Sequence, residues 1–401
     1  MRSNYKKLGQ FIKLVSVKNK DLNVDLLLGV SITKRFIPSI ANIVGTDMST
    51  YKVVTRNQFA YGSVTSRNGE KISIALLTED KCLVSSSYTV FEIADTEKLD
   101  PEYLMMWFRR TEFDRYARFM SHGTVREQFG WDEMCDAELP VPSIEKQREI
   151  VREYNVVNDR ISLNDDLTQK LEDTAQAIYK QWFVDFEFPI SKEYAESIDK
   201  PELEGKPYKS SGGEMKYCEE LEQDIPIDWV VDKLGNLSTI RAGGDKPKRY
   251  SINRDIECVV PIYSNSTEQK GLYGWTDKAK IQDRSITVSA RGGIGFTVLR
   301  DEPFVPIVRL IVVIPENHLH LNYLYQFLKR YNYDSFTTAS AQAQLTSPDV
   351  SEFSLLKPDS DATQNYEHVA NALNEKIKVK EIENQTLIKL REILLSRLAM
   401  V

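Results

Sequence analysis

Cysteine is scarce, with four in 401 residues. Cys82, Cys135, Cys218 and Cys258 stand far apart and form no C-x-x-C, so neither a disulfide framework nor a zinc site is suggested. His318 and His320 flank Leu319 after a strand-like run, which fits a surface loop better than a metal site. No apolar run reaches the roughly 18 residues that span a bilayer. Met1 to Lys7 leads into no apolar stretch of the kind a secretion signal needs, so no membrane is expected and the compartment is the reducing cytoplasm. Enzymatic signatures are missing too. There is no G-x-x-x-x-G-K-[ST] and no Asn-Pro-Pro-aromatic tetrapeptide. The glycines of Arg291-Gly292-Gly293-Ile294-Gly295-Phe296 join two strand-like runs, as in a tight turn and unlike a dinucleotide or S-adenosylmethionine loop. Glu204-Gly205-Lys206 after Asp199, and Glu214-Met215-Lys216, lie in a polar stretch unsuited to a rigid metal site. No nucleophile–base pair is legible, so the sequence offers no catalytic and no metal-ligating residue.

Apolar residues make up 41% and charged residues 28%, ordinary values that suit two or three globular domains at this length. The net charge is −7, and it is unevenly spread. Residues 1–142 carry +1 and residues 225–358 carry +2, while 143–187 carry −4, 188–224 carry −5 and 359–401 carry −1. The acidic middle repels DNA and suits protein contacts. Only local patches of the two large blocks could meet nucleic acid.

The chain is built twice. Lys7-Leu8-Gly9 returns as Lys233-Leu234-Gly235. Gln128-Phe129 and Pro142 return as Gln344-Leu345 and Pro358, a shift of 216 that also carries Leu139 onto Leu355, Ile161 onto Ile377 and Leu171 onto Leu387. Each half is a mixed block, then a proline, then a long helix. The first helix is expected from Ser143 to about Asp185, with Pro142 favouring an extended entry and Ser143 as cap. Alternating steps of four and three pick out Ile150, Tyr154, Val157, Ile161, Asn164, Thr168, Leu171, Ala175, Ile178 and Trp182. The shifted seam reads Tyr366, Ala370, Leu373, Ile377, Lys380, Asn384, Leu387, Arg391, Leu394 and Leu398. Two such helices, each about 65 Å long, are expected to pair antiparallel. Ile150, Val157, Ile161, Leu171 and Ile178 would meet Leu373, Ile377, Leu387 and Leu394. Residues 188–224 read as a solvated polar linker.

The blocks combine strand-like runs (Ile72 to Leu77, Tyr88 to Ile93, Ile286 to Ser289, Phe296 to Leu299, Leu310 to Ile314) with helices at Pro101 and over Leu321 to Tyr331. Their loops are rich in side chains that contact bases and phosphates. The candidates are Lys34, Arg35, Arg67, Asn68, Ser86, Tyr88, His122, Thr124 and Arg126 in the first block. In the second they are Arg241, Lys246, Lys248, Asn265, Arg291, Gln342 and Gln344.

The order of these parts is itself informative. A block leads to Pro142-Ser143-Ile144-Glu145-Lys146-Gln147-Arg148-Glu149-Ile150, and the first helix closes on Trp182-Phe183-Val184-Asp185-Phe186. Gly205-Lys206-Pro207-Tyr208-Lys209-Ser210-Ser211-Gly212-Gly213 follows, then a second block and a helix ending near Leu398. Over essentially its whole length the chain resembles the specificity (S) subunit of Type I restriction–modification systems. The resemblance implies an α+β fold of two similar target recognition domains separated by a long antiparallel two-helix coiled coil. The divisions are domain 1 over 1–142, a central helix over 143–187, the linker over 188–224, domain 2 over 225–358 and a distal helix over 359–401. It implies a non-catalytic subunit that reads an asymmetric bipartite site in double-stranded DNA, with the helices as a spacer. Two methyltransferase (M) subunits would supply adenine-N6 methylation, and restriction (R) subunits would supply translocation and cleavage. S-adenosylmethionine, ATP and Mg are expected on those partners and no cofactor on this chain. The rival reading is a two-lobed coiled-coil adaptor that binds proteins.

Overall fold

The computed structural model describes residues 4–39, 46–66, 68–69, 71–122, 127–337 and 344–400. The chain divides into two compact units, Met1–Asp165 with Glu381–Val401, and Asp166–Lys380. In chain order the first unit's main strands are β1 (Ile12–Val15), β2 (Phe59–Gly62), β3 (Ile74–Leu76) and β4 (Tyr88–Ile93). Its helices are α1 (Pro101–Phe108), α2 (Thr111–Phe119), α3 (Trp131–Asp136) and the first part of α4 (Ile144–Phe183). The second unit takes the rest of α4, then α5 (Lys192–Ser197) and strands β5 (Ser238–Ala242), β6 (Ser285–Val288), β7 (Thr297–Arg300) and β8 (Ile311–Pro315). Helices α6 (Leu321–Arg330), α7 (Ser347–Ser351) and α8 (Ser360–Arg397) follow, and the last turns of α8 belong to the first unit.

Both units carry the same sheet. In the first its order is β1-β4-β2-β3 and in the second β5-β8-β6-β7, every pair antiparallel. The framing contacts repeat as well. Leu8 donates its N–H to Ala137 O at 2.8 Å, and Leu234 donates to Phe353 O at 2.9 Å. The Tyr103 hydroxyl bonds Pro140 O, and the Tyr323 hydroxyl bonds Leu356 O. The repeated glycine of Lys-Leu-Gly has a physical reason. A Cβ on Gly9 would stand 2.8 Å from Cys135 Cβ on α3, and one on Gly235 would stand 3.1 Å from Ser351 Cβ on α7. Gly9→Ala should therefore lower the stability of the first unit by about 1–3 kcal/mol through overpacking, read as a drop in the denaturant midpoint.

Local signals explain the elements. Asp100 caps α1 by accepting from the N–H groups of Glu102 and Tyr103, with Pro101 in the first turn. Leu321, Leu324 and Leu328 share the buried face of α6, whose last turn carries Lys329 and Arg330 at the negative helix end. The first core is aromatic, with Phe59 stacked on Phe91 at 4.9 Å and Phe108 edge-on at 5.7 Å. In the second, Phe183, Trp229, Tyr323 and Tyr366 pack together.

The long helices run antiparallel. In the first unit Asn158 accepts from Arg391, Arg160 pairs with Glu383 at 2.6 Å, and Asn164 donates to Asn384 at 2.9 Å. In the second, the rings of Tyr179 and Trp182 pack on Tyr366. Every position of both expected seams is buried or half-buried, including Ile150, Val157, Ile161, Leu171, Ile178, Leu373, Ile377, Leu387 and Leu394. Asn164 is only 1% exposed, so its bond to Asn384 favours one register of the pair.

Residues 188–224 differ from the solvated linker that their composition suggests. Phe188, Ile190, Ala195 and Tyr208 are buried in the second core, and Met215–Cys218 pairs with Gln223–Pro226 as a hairpin. A few spaced aromatics anchor the segment although most of its residues are polar.

Candidate nucleic-acid interface

In each unit the loop after the sheet's third-ranked strand is bonded to the segment that leads into the short helix. In the first, Phe129 N–H donates to Ser63 O at 2.8 Å, Thr65 N–H to Glu127 O at 3.0 Å, and the Thr65 hydroxyl to Ser121 at 2.9 Å. In the second, Leu345 N–H donates to Ala290 O at 3.0 Å. Two polar loops thus form a rim at equivalent places in the two units.

The rim gathers part of the candidate set. Asn68 and His122 sit on the first unit's paired loops, His122 exposed and bridged through its backbone to Gln128. Arg67, Thr124 and Arg126 lie outside the described residues, as does Gln342. In the second unit the Arg291 guanidinium bonds the Gln344 side-chain oxygen. Asn265 ties the neighbouring loops, accepting from Ala290 N–H at 2.8 Å and donating to Val308 O. Gly243 and Gly244 lie against Pro306 and Val308, which brings the strand end that carries Arg241 to the same cluster. The exposed Lys246 ammonium stands 3.8 Å from the Tyr250 ring centre, and the Tyr250 hydroxyl raises its pKa. Lys248 is exposed on the same loop.

Other candidates have structural work. Lys34 is buried and paired with Asp114, so its ammonium is not presented to phosphate. This corrects the expectation for Lys34. The adjoining Arg35 is exposed at the tip of the hairpin formed by Leu28–Val30 and Phe36–Pro38. Tyr88 is half-buried and its hydroxyl accepts from Val30 N–H at 3.3 Å, while Ser86 is exposed on the turn before it. Among the described residues these three make no bond to the rim. The Asn265 amide is likewise committed to holding loops.

The structure adds residues that periodicity could not mark. Val308 and Arg309 adopt left-handed backbone at φ 53° and 60°, and Gln269 and Lys270 do so at 47° and 54°. A β-branched residue there is strained, and strain of this kind gathers at functional loops. Arg309 is exposed beside Val308. The exposed rings of Tyr250 and Tyr273 pack 6.2 Å apart under Lys246, and Arg254 lies over Trp275 at 5.2 Å. Cations interleaved with aromatics are a composition that meets nucleic acid well.

Known proteins share this organisation. The family model for the Type I restriction modification DNA specificity domain matches residues 226–391. The specificity subunit of the HindI Type I restriction enzyme of Haemophilus influenzae is 23% identical over 412 residues, covering 90% of this chain and 89% of the relative. The MjaIX specificity subunit of Methanocaldococcus jannaschii is 27% identical over 148 residues, covering 37% of this chain and 29% of the relative. The crystal structure of the Type I S subunit from M. genitalium superposes with a TM-score of 0.58 at 13% identity, over 98% of this chain and 95% of that one, a likeness of fold. The duplicated sheet, the paired helices and these matches together make the chain similar, over nearly its whole length, to the specificity subunits of Type I restriction–modification systems.

Proposed function

We propose that the chain reads an asymmetric bipartite site in double-stranded DNA, one half through residues 1–142 and the other through residues 225–358. The observation that carries this reading is the repeated sheet with a polar loop rim in the same place twice, because equal frames with unlike loops suit two readers of unlike sequence. The helix pair then sets the unspecified gap between the half-sites, as dimer spacing does on operators. Two M subunits bind the helices and methylate adenine at N6 from S-adenosylmethionine, and R subunits add ATP-driven translocation and cleavage. Exposed apolar side chains on α4 and α8, among them Val156, Leu163, Ile382 and Ile393, support a protein partner there.

The test is sequencing of methylated bases in cells that carry the chain with its cognate M subunit. A modified bipartite motif that vanishes when the chain is deleted is the expected result. Methylation without the motif's dependence on this chain would reject the reading. Within the second block, Arg291→Ala should cost about 1–3 kcal/mol of binding and relax base preference in one half-site only. Competition binding at one fixed salt concentration measures both effects.

A further inference from the structure

The second unit contains a cavity of about 160 Å³ that DNA reading does not use. Its floor is aromatic. Phe188 stacks on Tyr208 at 4.6 Å and on Trp229 at 5.0 Å, and Tyr194 closes one side with its ring 5.4 Å from that of Tyr208. A Cβ on Gly213 would meet the Tyr208 ring at 2.4 Å, so glycine there lets the ring lie against the turn. The glycine-rich stretch ending at Gly213 and the aromatic stretch after Trp182 thus converge on one wall.

The rim is acidic. Asp359 is committed, with Oδ2 accepting from Trp229 Nε1–H at 2.8 Å and Oδ1 from Ala362 N–H at 2.7 Å. Glu193, Asp228 and Asp361 also line the cavity, and among the described residues they have no basic partner. No lysine or arginine lines it. Among the described residues no His, Cys, Asp and Glu group is compact enough to hold a metal ion. Carboxylates spread around an aromatic floor suit a larger organic cation. A guanidinium fits best, since it is planar, stacks on rings and is weakly hydrated.

We propose that this cavity receives an arginine side chain of a protein partner. Identifying the partner as the M subunit rests on the reading above. DNA is disfavoured, because three uncompensated carboxylates would face phosphate.

The test uses the full chain and its cognate M subunit. Tyr194→Ala combined with Asp228→Asn, both at the cavity mouth, should weaken assembly by about tenfold while the methylated motif stays the same. Asp228→Lys should weaken it further, and Asp228→Glu should stay near the parent. Unchanged melting curves establish that the variants are folded. Assembly within twofold of the parent for both Asp228→Lys and the double variant overturns the inference and leaves the functional reading standing. Loss of DNA affinity with assembly intact also overturns it, assigning the cavity to nucleic acid. A parent chain that fails to assemble with the M subunit overturns both.

Discussion

Replacing residues 1–142 by the corresponding block of a relative with a different target will change one half of the methylated motif and leave the other half as it was. The expectation follows from the separate core that each block shares with its own stretch of helix. In the first unit the sheet, α1 and the rim loops share one core built around Phe59, Phe91, Phe108 and Phe129. The second block has a separate core around Trp229 and Tyr323, and its sheet order is complete without any strand from the first. A reader with its own core can be exchanged without reshaping its counterpart, provided its helix contacts are kept. Sequencing of methylated bases reads the outcome directly, and a change in both halves would show that the blocks do not read independently. The exchange must preserve Tyr5, because its hydroxyl bonds Ala399 O at 3.1 Å, and the contact of Gln147 with Asp100 N–H at 2.9 Å.

Asp114→Ala should destabilise the first unit by about 3–5 kcal/mol, the usual penalty for leaving a buried charge without its partner. Lys34 is 7% exposed, and Asp114 is its counter-ion. Asp114 also accepts the N–H of Ile72 at 3.0 Å, so its loss orphans a backbone donor as well. Burial lowers the Lys34 pKa from its ordinary value of 10.5, and Asp114 opposes that shift. Without Asp114 the folded state releases the Lys34 proton more readily than the unfolded chain does. The unfolded chain then binds more protons between the two pKa values, so the variant should regain stability as pH rises toward 10.5. Denaturant titrations at a series of pH values check the size and the sign. The double variant Lys34→Met with Asp114→Leu should recover most of the loss. If Asp114→Ala cost less than about 1 kcal/mol, the pair would be solvated and Lys34 could again be considered a phosphate contact.

Much of the frame was legible because it is periodic. The four–three alternation gave both helix seams, the prolines before Ser143 and Asp359 gave their entries, and β-branched runs gave strands such as Tyr88–Ile93 at their true bounds. The duplication was visible in Lys-Leu-Gly and in Gln128 and Gln344, which return under two different shifts. Lys-Leu-Gly moves by 226 and Gln128 by 216, and the difference falls in the connections. The roles of single polar residues were hidden because their partners are distant in sequence. Lys34 looks like a loop cation until Asp114 arrives from 80 positions away, and Asn265 looks like a base reader until Ala290 and Val308 claim its amide. The packing of residues 188–224 was masked by composition, since Phe188 and Tyr208 are few among many charged neighbours. The left-handed backbone at Val308 and Arg309 has no glycine to announce it.

The first unit is discontinuous, and this bears on how the chain comes off the ribosome. Its core includes Leu398, and its helix pairing needs the stretch from Glu381 onward, whereas the second unit occupies one uninterrupted span. The portion translated first therefore completes its packing last. During the interval, on the order of ten seconds or more at 5–20 residues per second, the stretch of α4 from Asn158 to Asn164 waits without Arg391, Glu383 and Asn384, its partners on α8. Premature termination near position 380 would leave the second unit whole and the first permanently unfinished, with its seam open to chaperones, proteases or another unfinished copy.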